Sequence, residues 1–286
     1  YDNLLLLRSG LIQVSEYLDL LAAEIRNYET TPGSEVRSAE LASFDTWIKH
    51  YRPDENSVNS TVSYYRKGAL IGFVTDMAIR RETDGDASLD DVMRTLFQRY
   101  SLPENGGYPP GAFEQIVEEL AGAEVRSAVE AMLRTTTDPA VDEALGWYGL
   151  LLDRGNGLPG QEPAVESGAT AGFGVIWDDR GSKLKVKQVV QGHAASMAGV
   201  LPGDELIAVA GNRVTPLNYV TLIQRLKPGE SAELLVSRHG RILSLEAVVQ
   251  AAIPETFKIV PDPKIRSRQQ KRMEAWLGLD LLFSRN

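Results

Sequence analysis

The stretch Ser63-Tyr64-Tyr65-Arg66-Lys67-Gly68 sets two phenols and an amine at the mouth of an apolar run, Ala69 to Val74. A tyrosine there can pack its ring at a helix start and leave its hydroxyl wet, or it can offer an O–H donor to an oxygen that gains charge in a reaction. The residue pattern alone favours packing. Other reactive groups are sparse. The chain has no cysteine, which removes disulfides, thiolate zinc sites and cysteine nucleophiles. Its three histidines, His50, His193 and His239, stand alone, with no H-E-x-x-H pair at helical spacing, so no metal ligand is assigned. No serine has the G-x-S-x-G setting of a nucleophile elbow.

The elements that must hold these residues divide into two parts. A length of 286 residues implies about two domains at ~150 residues each. The 43% hydrophobic and 24% charged content is that of a soluble globular chain. A net charge of -9 argues against a nucleic-acid partner, whose binding needs a basic face. The apolar run Leu4 to Leu7 stops at Arg8, far short of the ~20 residues of a membrane span. Tyr1 opens the chain without a methionine or a basic leader, which reads as an internal fragment. Cytoplasm and bacterial envelope both stay open as compartments.

From Tyr1 to Asp153 the period is helical. Leu18, Leu21, Ala22 and Ile25 share one face behind Ser15 as N-cap, and a buried helix is expected over Gly68 to Arg80. Ser88 to Asp91 has capping-box spacing before a helix to Arg99. Further helices are expected from Pro110 to Gly122 and, after the Asp138-Pro139 cap, from Val141 to Leu152. The polar, glycine- and proline-rich residues 154–168 read as a linker. Alternation of Leu184 and Val186 with lysines, and the runs Leu234 to Val236 and Leu243 to Val249 flanking the turn His239-Gly240, mark a β-rich domain over 169–252. Residues 253–286 form a tail with a basic helix that packs back on a domain.

The motifs "GFGV" at 172–175 and "AASMAGVLPGDELIAVAGNRV" at 194–214, with a short helix over 217–226, resemble a PDZ domain of the bacterial type. Glycines at 172 and 174 permit tight turning, so the amides of Phe173, Gly174 and Val175 can converge on a terminal carboxylate. The following strand offers an edge to an added peptide, and Leu222 or Ile223 would line the opposite wall. Peptides or protein C-termini are the implied partners. The competing reading is that the glycines only build a turn and that the chain's own tail or linker fills the groove.

With such a domain behind a helical one, "YDNLLLLRSGLI", "SFDTWIKHYRPDEN", "SYYRKGALIGFVTDMAIR" and "SLDDVMRTL" resemble the glycyl-aminopeptidase family of zinc metallopeptidases. The resemblance implies a multidomain chain, the α-helical subdomain of a thermolysin-like peptidase (1–153) plus a PDZ domain. It implies that the family's zinc site lies upstream, so that the full-length parent holds zinc, this chain holds none and is inactive alone, and a missing N-terminal catalytic half is its partner. It also implies substrates with small N-terminal residues such as glycine or alanine. Tyr65, at the first position of Y-x-K-G, is then the residue whose phenol donates to the oxyanion. Tyr64 points about 100° away on a helix, Lys67 is expected to pair with a surface acid, and Gly68 to admit a neighbouring helix. The alternative is a non-enzymatic PDZ scaffold with a degenerate helical domain.

Overall fold

The computed structural model describes residues 1–54, 56–101, 107–155, 171–178, 182–253 and 257–279. Its helices are α1 (Asp2–Arg8), α2 (Val14–Glu29), a 3-10 turn (Pro32–Ser34), α3 (Ala39–Phe44), α4 (Thr46–Lys49), α5 (Ser57–Ser60), α6 (Tyr64–Glu82), α7 (Leu89–Tyr100), α8 (Ala112–Ala121), α9 (Ala123–Arg134) and α10 (Val141–Trp147). Leu21, Ala22 and Ile25 bury the expected face of α2, with Leu18 half-buried beside them. The helix nevertheless starts at Val14 behind Gln13, so Ser15 lies inside it rather than capping it. At α7 the capping box forms as read: the Ser88 N–H donates to Asp91 Oδ2 at 2.9 Å.

Three departures from the sequence reading have physical causes. Residues 123–134, left without a helix, form α9, because Val125, Val129 and Met132 bury one face at spacings of four and three. Gly122, at φ 87°, breaks α9 from α8. The helix expected to reach Leu152 ends at Trp147, where Gly149 at φ 76° turns the chain into β1 (Leu150–Asp153). Asp138 does not cap α10, whose N-cap is Ala140; its carboxylate accepts a hydrogen bond from the Tyr28 hydroxyl at 2.5 Å.

The β-rich unit follows: β2 (Ala171–Gly172), β3 (Val175–Trp177), β4 (Val186–Val189), α11 (Ala194–Met197), β5 (Glu205–Val209), β6 (Asn212–Arg213), α12 (Tyr219–Ile223), β7 (Ser231–Arg238), β8 (Arg241–Val248) and β9 (Gln250–Ala251). β6, β5, β7 and β8 form one antiparallel sheet in that order, while β3 pairs with β4 and β2 with β9. The β7–β8 hairpin turns at His239 and Gly240, whose φ of 48° and 81° suit a two-residue loop matched to the sheet twist. Most of the expected linker, 156–168, lies outside the described residues.

The tail completes the helical unit. β10 (Lys258–Pro261) pairs antiparallel with β1, Leu150 opposite Pro261 and Asp153 opposite Lys258, and α13 (Ser267–Leu277) ends at Gly278, φ 71°. Trp276, 1% exposed, stacks on Tyr148 at 4.4 Å and meets Phe73 at 5.2 Å and Tyr17 at 5.6 Å. The helical fold therefore leaves at β1, the β-rich unit intervenes, and the fold resumes at β10. A buried Gln188 side chain on β4 donates to the carbonyl of Thr30 at the end of α2, tying the two units together. No helix among the described residues is long and apolar enough to cross a membrane.

Candidate functional site

Both tyrosines belong to the first turn of α6, which starts four residues before the expected Gly68. Ser63 is the N-cap, its Oγ accepting from the Arg66 N–H at 3.4 Å. From this turn Tyr65 stands out, 60% exposed, with its hydroxyl 3.3 Å from that of Tyr51. Tyr64 is half-buried against the helical core. Their rings lie 4.2 Å apart, and His50 sits 6.1 Å from Tyr64 and 6.4 Å from Tyr65. The imidazole thus borders the rings of both phenols.

The surface beside Tyr65 is apolar for an exterior. Phe44, Trp47 and Ile48, on α3 and α4, are 87%, 75% and 71% exposed, and Trp47 packs on Tyr51 at 5.0 Å. Asp54 lies in the loop between α4 and α5. Its carboxylate accepts from Ser57 Oγ at 2.9 Å and the Asn56 N–H at 3.0 Å, and the Ser57 bond chiefly holds its pKa below the usual carboxylate value. Asn59 Nδ2 donates to Asn56 Oδ1 at 3.1 Å, so these amides serve the loop's own structure.

The other two residues of Y-x-K-G correct the sequence reading. Lys67 does not reach a surface acid: it is fully buried and donates to the Thr135 carbonyl at 3.3 Å. Gly68 admits no neighbour, since a methyl group there would meet nothing within 4 Å. The orientation of Lys67 follows from a helix that begins at Tyr64. Placing the start at Gly68 hid it, although Ser63 as a cap was the available signal.

In the β-rich unit, Gly174 has φ 71° and its backbone lies against His193, whose Cβ would be 2.3 Å from an added methyl. The Gly174 and Phe173 carbonyls accept from the Val190 and Ala195 N–H groups at 2.9 and 2.8 Å. Phe173 is 2% exposed, so only its backbone faces the loop, and its ring belongs to the core. Val175 begins β3, half-exposed and opposite Val189. On its other edge β3 has no strand partner among the described residues. Across from it on α12, Leu222 is half-buried and Ile223 is a buried core residue. Trp177 and Tyr219 touch edge to face at 4.9 Å, which brings β3 and α12 together at one end. The tail's described part, 257–279, lies on the helical unit and leaves this edge clear. His193 Nδ1 is buried without a hydrogen-bond partner among the described residues, and desolvation holds that imidazole's pKa below its ordinary value.

Among the described residues no three His, Asp or Glu side chains group closely enough to hold a metal ion. The arrangement at α6 can offer hydrogen bonds from phenols over an apolar surface. The fold is similar to that of the aminopeptidase N family protein of Idiomarina loihiensis, with a TM-score of 0.79 and 26% identity, over 96% of this chain and 46% of that one. Residues 1–71, which carry the phenols, match the model of the M61 glycyl aminopeptidase family. The resemblance drawn from the motifs is thus found in sequence over that segment and in fold over nearly the whole chain. The chain spans less than half the length of that solved structure. An HtrA-type protease solved with a decapeptide aligns over 30% of each chain at 20% identity, with a TM-score of 0.28. None of the curated proteins matches the chain in sequence.

Proposed function

We propose that this chain supplies the oxyanion-binding phenol and helical wall of a zinc-dependent aminopeptidase acting on peptides with small N-terminal residues, glycine or alanine. The observation that carries the reading is the Tyr65 hydroxyl, held out from the first turn of α6 within the segment that matches the family. As a peptide carbonyl becomes tetrahedral its oxygen gains negative charge, and a preplaced donor lowers the barrier by ~2.7–4 kcal/mol. Zinc would activate the attacking water when bound, but the described residues do not form a site for it. The chain's own share is the phenol, its Tyr51 partner and the apolar face of Phe44, Trp47 and Ile48. That uncovered face supports a further portion of the native protein resting beside Tyr65.

The β-rich unit is read as a PDZ-type module that takes a peptide along β3, with amides around Gly174 receiving a terminal carboxylate. The open edge of β3 supports this. It equally supports a second reading, a peptide-binding scaffold without catalysis.

Turnover of glycyl and alanyl anilides by the native protein separates the two. Tyr65→Phe is expected to lower kcat by ~10²–10³ with KM nearly unchanged, and Tyr64→Phe to leave both alone. Full turnover by Tyr65→Phe would exclude the phenol's role, and no turnover by the unaltered protein would favour the scaffold. Titration with a free-carboxylate peptide and its amidated form examines the β3 edge; equal affinities would remove carboxylate capture.

A further inference from the structure

Residues two apart on a helix lie about 200° apart around its axis. On the first turn of α6 this sends Tyr65 and Lys67 in opposite directions, the phenol to the surface and the amine into the core. A buried ammonium is costly unless paired, and the pairing here is thin. Lys67 Nζ donates to the Thr135 carbonyl at 3.3 Å and lies 5.9 Å from the centre of the Tyr28 ring. The nearby Asp138 carboxylate is already bound to the Tyr28 hydroxyl.

Its partners explain what such a placement achieves. Thr135 ends α9, where helix carbonyls without partners carry partial negative charge, and Tyr28 stands in the last turn of α2. One side chain thereby joins the start of α6 to the ends of two other helices. The start of a helix is its least secure part, because its first N–H groups have no partner within the helix. In α6 the Ser63 cap supplies a single long bond.

We propose that Lys67 is a positioning residue, anchoring the first turn of α6 to Thr135 and Tyr28 and so fixing the direction in which the Tyr65 phenol is held. The catalytic half of this inference rests on the role assigned to Tyr65 above. The anchoring half does not.

The test uses native protein with ring-labelled tyrosine, the Tyr65 resonance being identified from Tyr65→Phe. In Lys67→Met, which keeps volume and loses charge and donor, the Tyr65 ring signal is expected to shift and broaden. Turnover should fall by ~10- to ~10²-fold with KM changed by no more than about twofold, the pattern of a misplaced transition-state group. Added to Tyr65→Phe, the same substitution should lower kcat no further. Lys67→Arg, which keeps a charged donor, should bring both readouts part of the way back. An unmoved Tyr65 signal in Lys67→Met overturns the anchoring, whatever happens to turnover. A moved signal with unchanged turnover upholds the anchoring and instead removes Tyr65 from the chemistry. If Lys67→Met does not fold, Lys67→Leu, likewise without charge or donor, takes its place, and an unmoved Tyr65 ring signal in it again overturns the proposal.

Discussion

Lys67 also leaves a mark on stability. Desolvation lowers its pKa below the ordinary 10.5, against a smaller opposing pull from Asp138. Between the depressed folded value and 10.5 the unfolded chain therefore holds more protons than the folded one, so this group's contribution to stability rises with pH through that window. The stabilisation is fully present above 10.5 and lost as pH falls through the folded value. Lys67→Met should flatten the curve, seen as a smaller rise of the urea midpoint from neutral to alkaline pH than in the unaltered chain. Measuring the difference between the two proteins cancels the buried tyrosines, whose raised pKa values act in the opposite sense. The two informative glycines should diverge as well. Gly68→Ala meets open space inside a helix and is expected to stabilise by ~0.5–1 kcal/mol. Gly174→Ala combines φ 71° with a collision against His193 and is expected to cost at least ~1–3 kcal/mol. Equal urea midpoints for the two variants would contradict both assignments. Tyr65 could be singled out from its motif, and Gly174 from the need for positive φ. The burial of Lys67 and the Tyr51 hydroxyl beside Tyr65 could not, because each depends on where a neighbouring element ends.

Elements with a strong period were readable in advance: α2, α7, and the β7–β8 hairpin, where Ala232, Leu234 and Val236 are buried on one face. The β1–β10 pair was not. Each strand is four residues of mixed burial, and its partner lies across the entire β-rich unit, so no local pattern announces the match. For α13 the sequence indicated a basic helix packing back on a domain, but not that its last residues, Trp276 and Leu277, fill the centre of the helical core. Trp276→Ala should therefore destabilise the helical unit by ~3–5 kcal/mol, as for other large aromatic residues removed from a packed interior. Calorimetry would show the loss in the helical transition; an unchanged transition would mean that α13 is dispensable.

At the scale of the whole molecule, the two units meet through the bond from Gln188 to the Thr30 carbonyl, both residues being buried. Gln188→Ala would leave that carbonyl without its partner, at a cost of ~1–3 kcal/mol. The expected result in small-angle scattering is a broader distribution of distances with the secondary structure intact. An unchanged profile would show that the chain crossings at β1 and β10 fix the arrangement unaided. The change from helical to strand periodicity along the chain was legible in the sequence, but the topology, one fold interrupted by another, was not.

The interruption has a consequence for how the molecule is made. Residues 17, 73 and 148 leave the ribosome long before Trp276, the ring they close upon, so the helical unit cannot finish its interior until the last helix has been synthesised. The β-rich unit has its own core from Ala171 to Val249 and can close while its host is still open, reversing the usual order in which earlier segments fold first. Once formed, it also draws Asp153 and Lys258 toward one another, shortening the loop whose closure entropy would otherwise oppose the β1–β10 pairing. In refolding followed by pulsed amide exchange, β5 to β8 should gain protection before α6 and α10, and a substitution that unfolds the small sheet should slow the large helical core by more than it destabilises it.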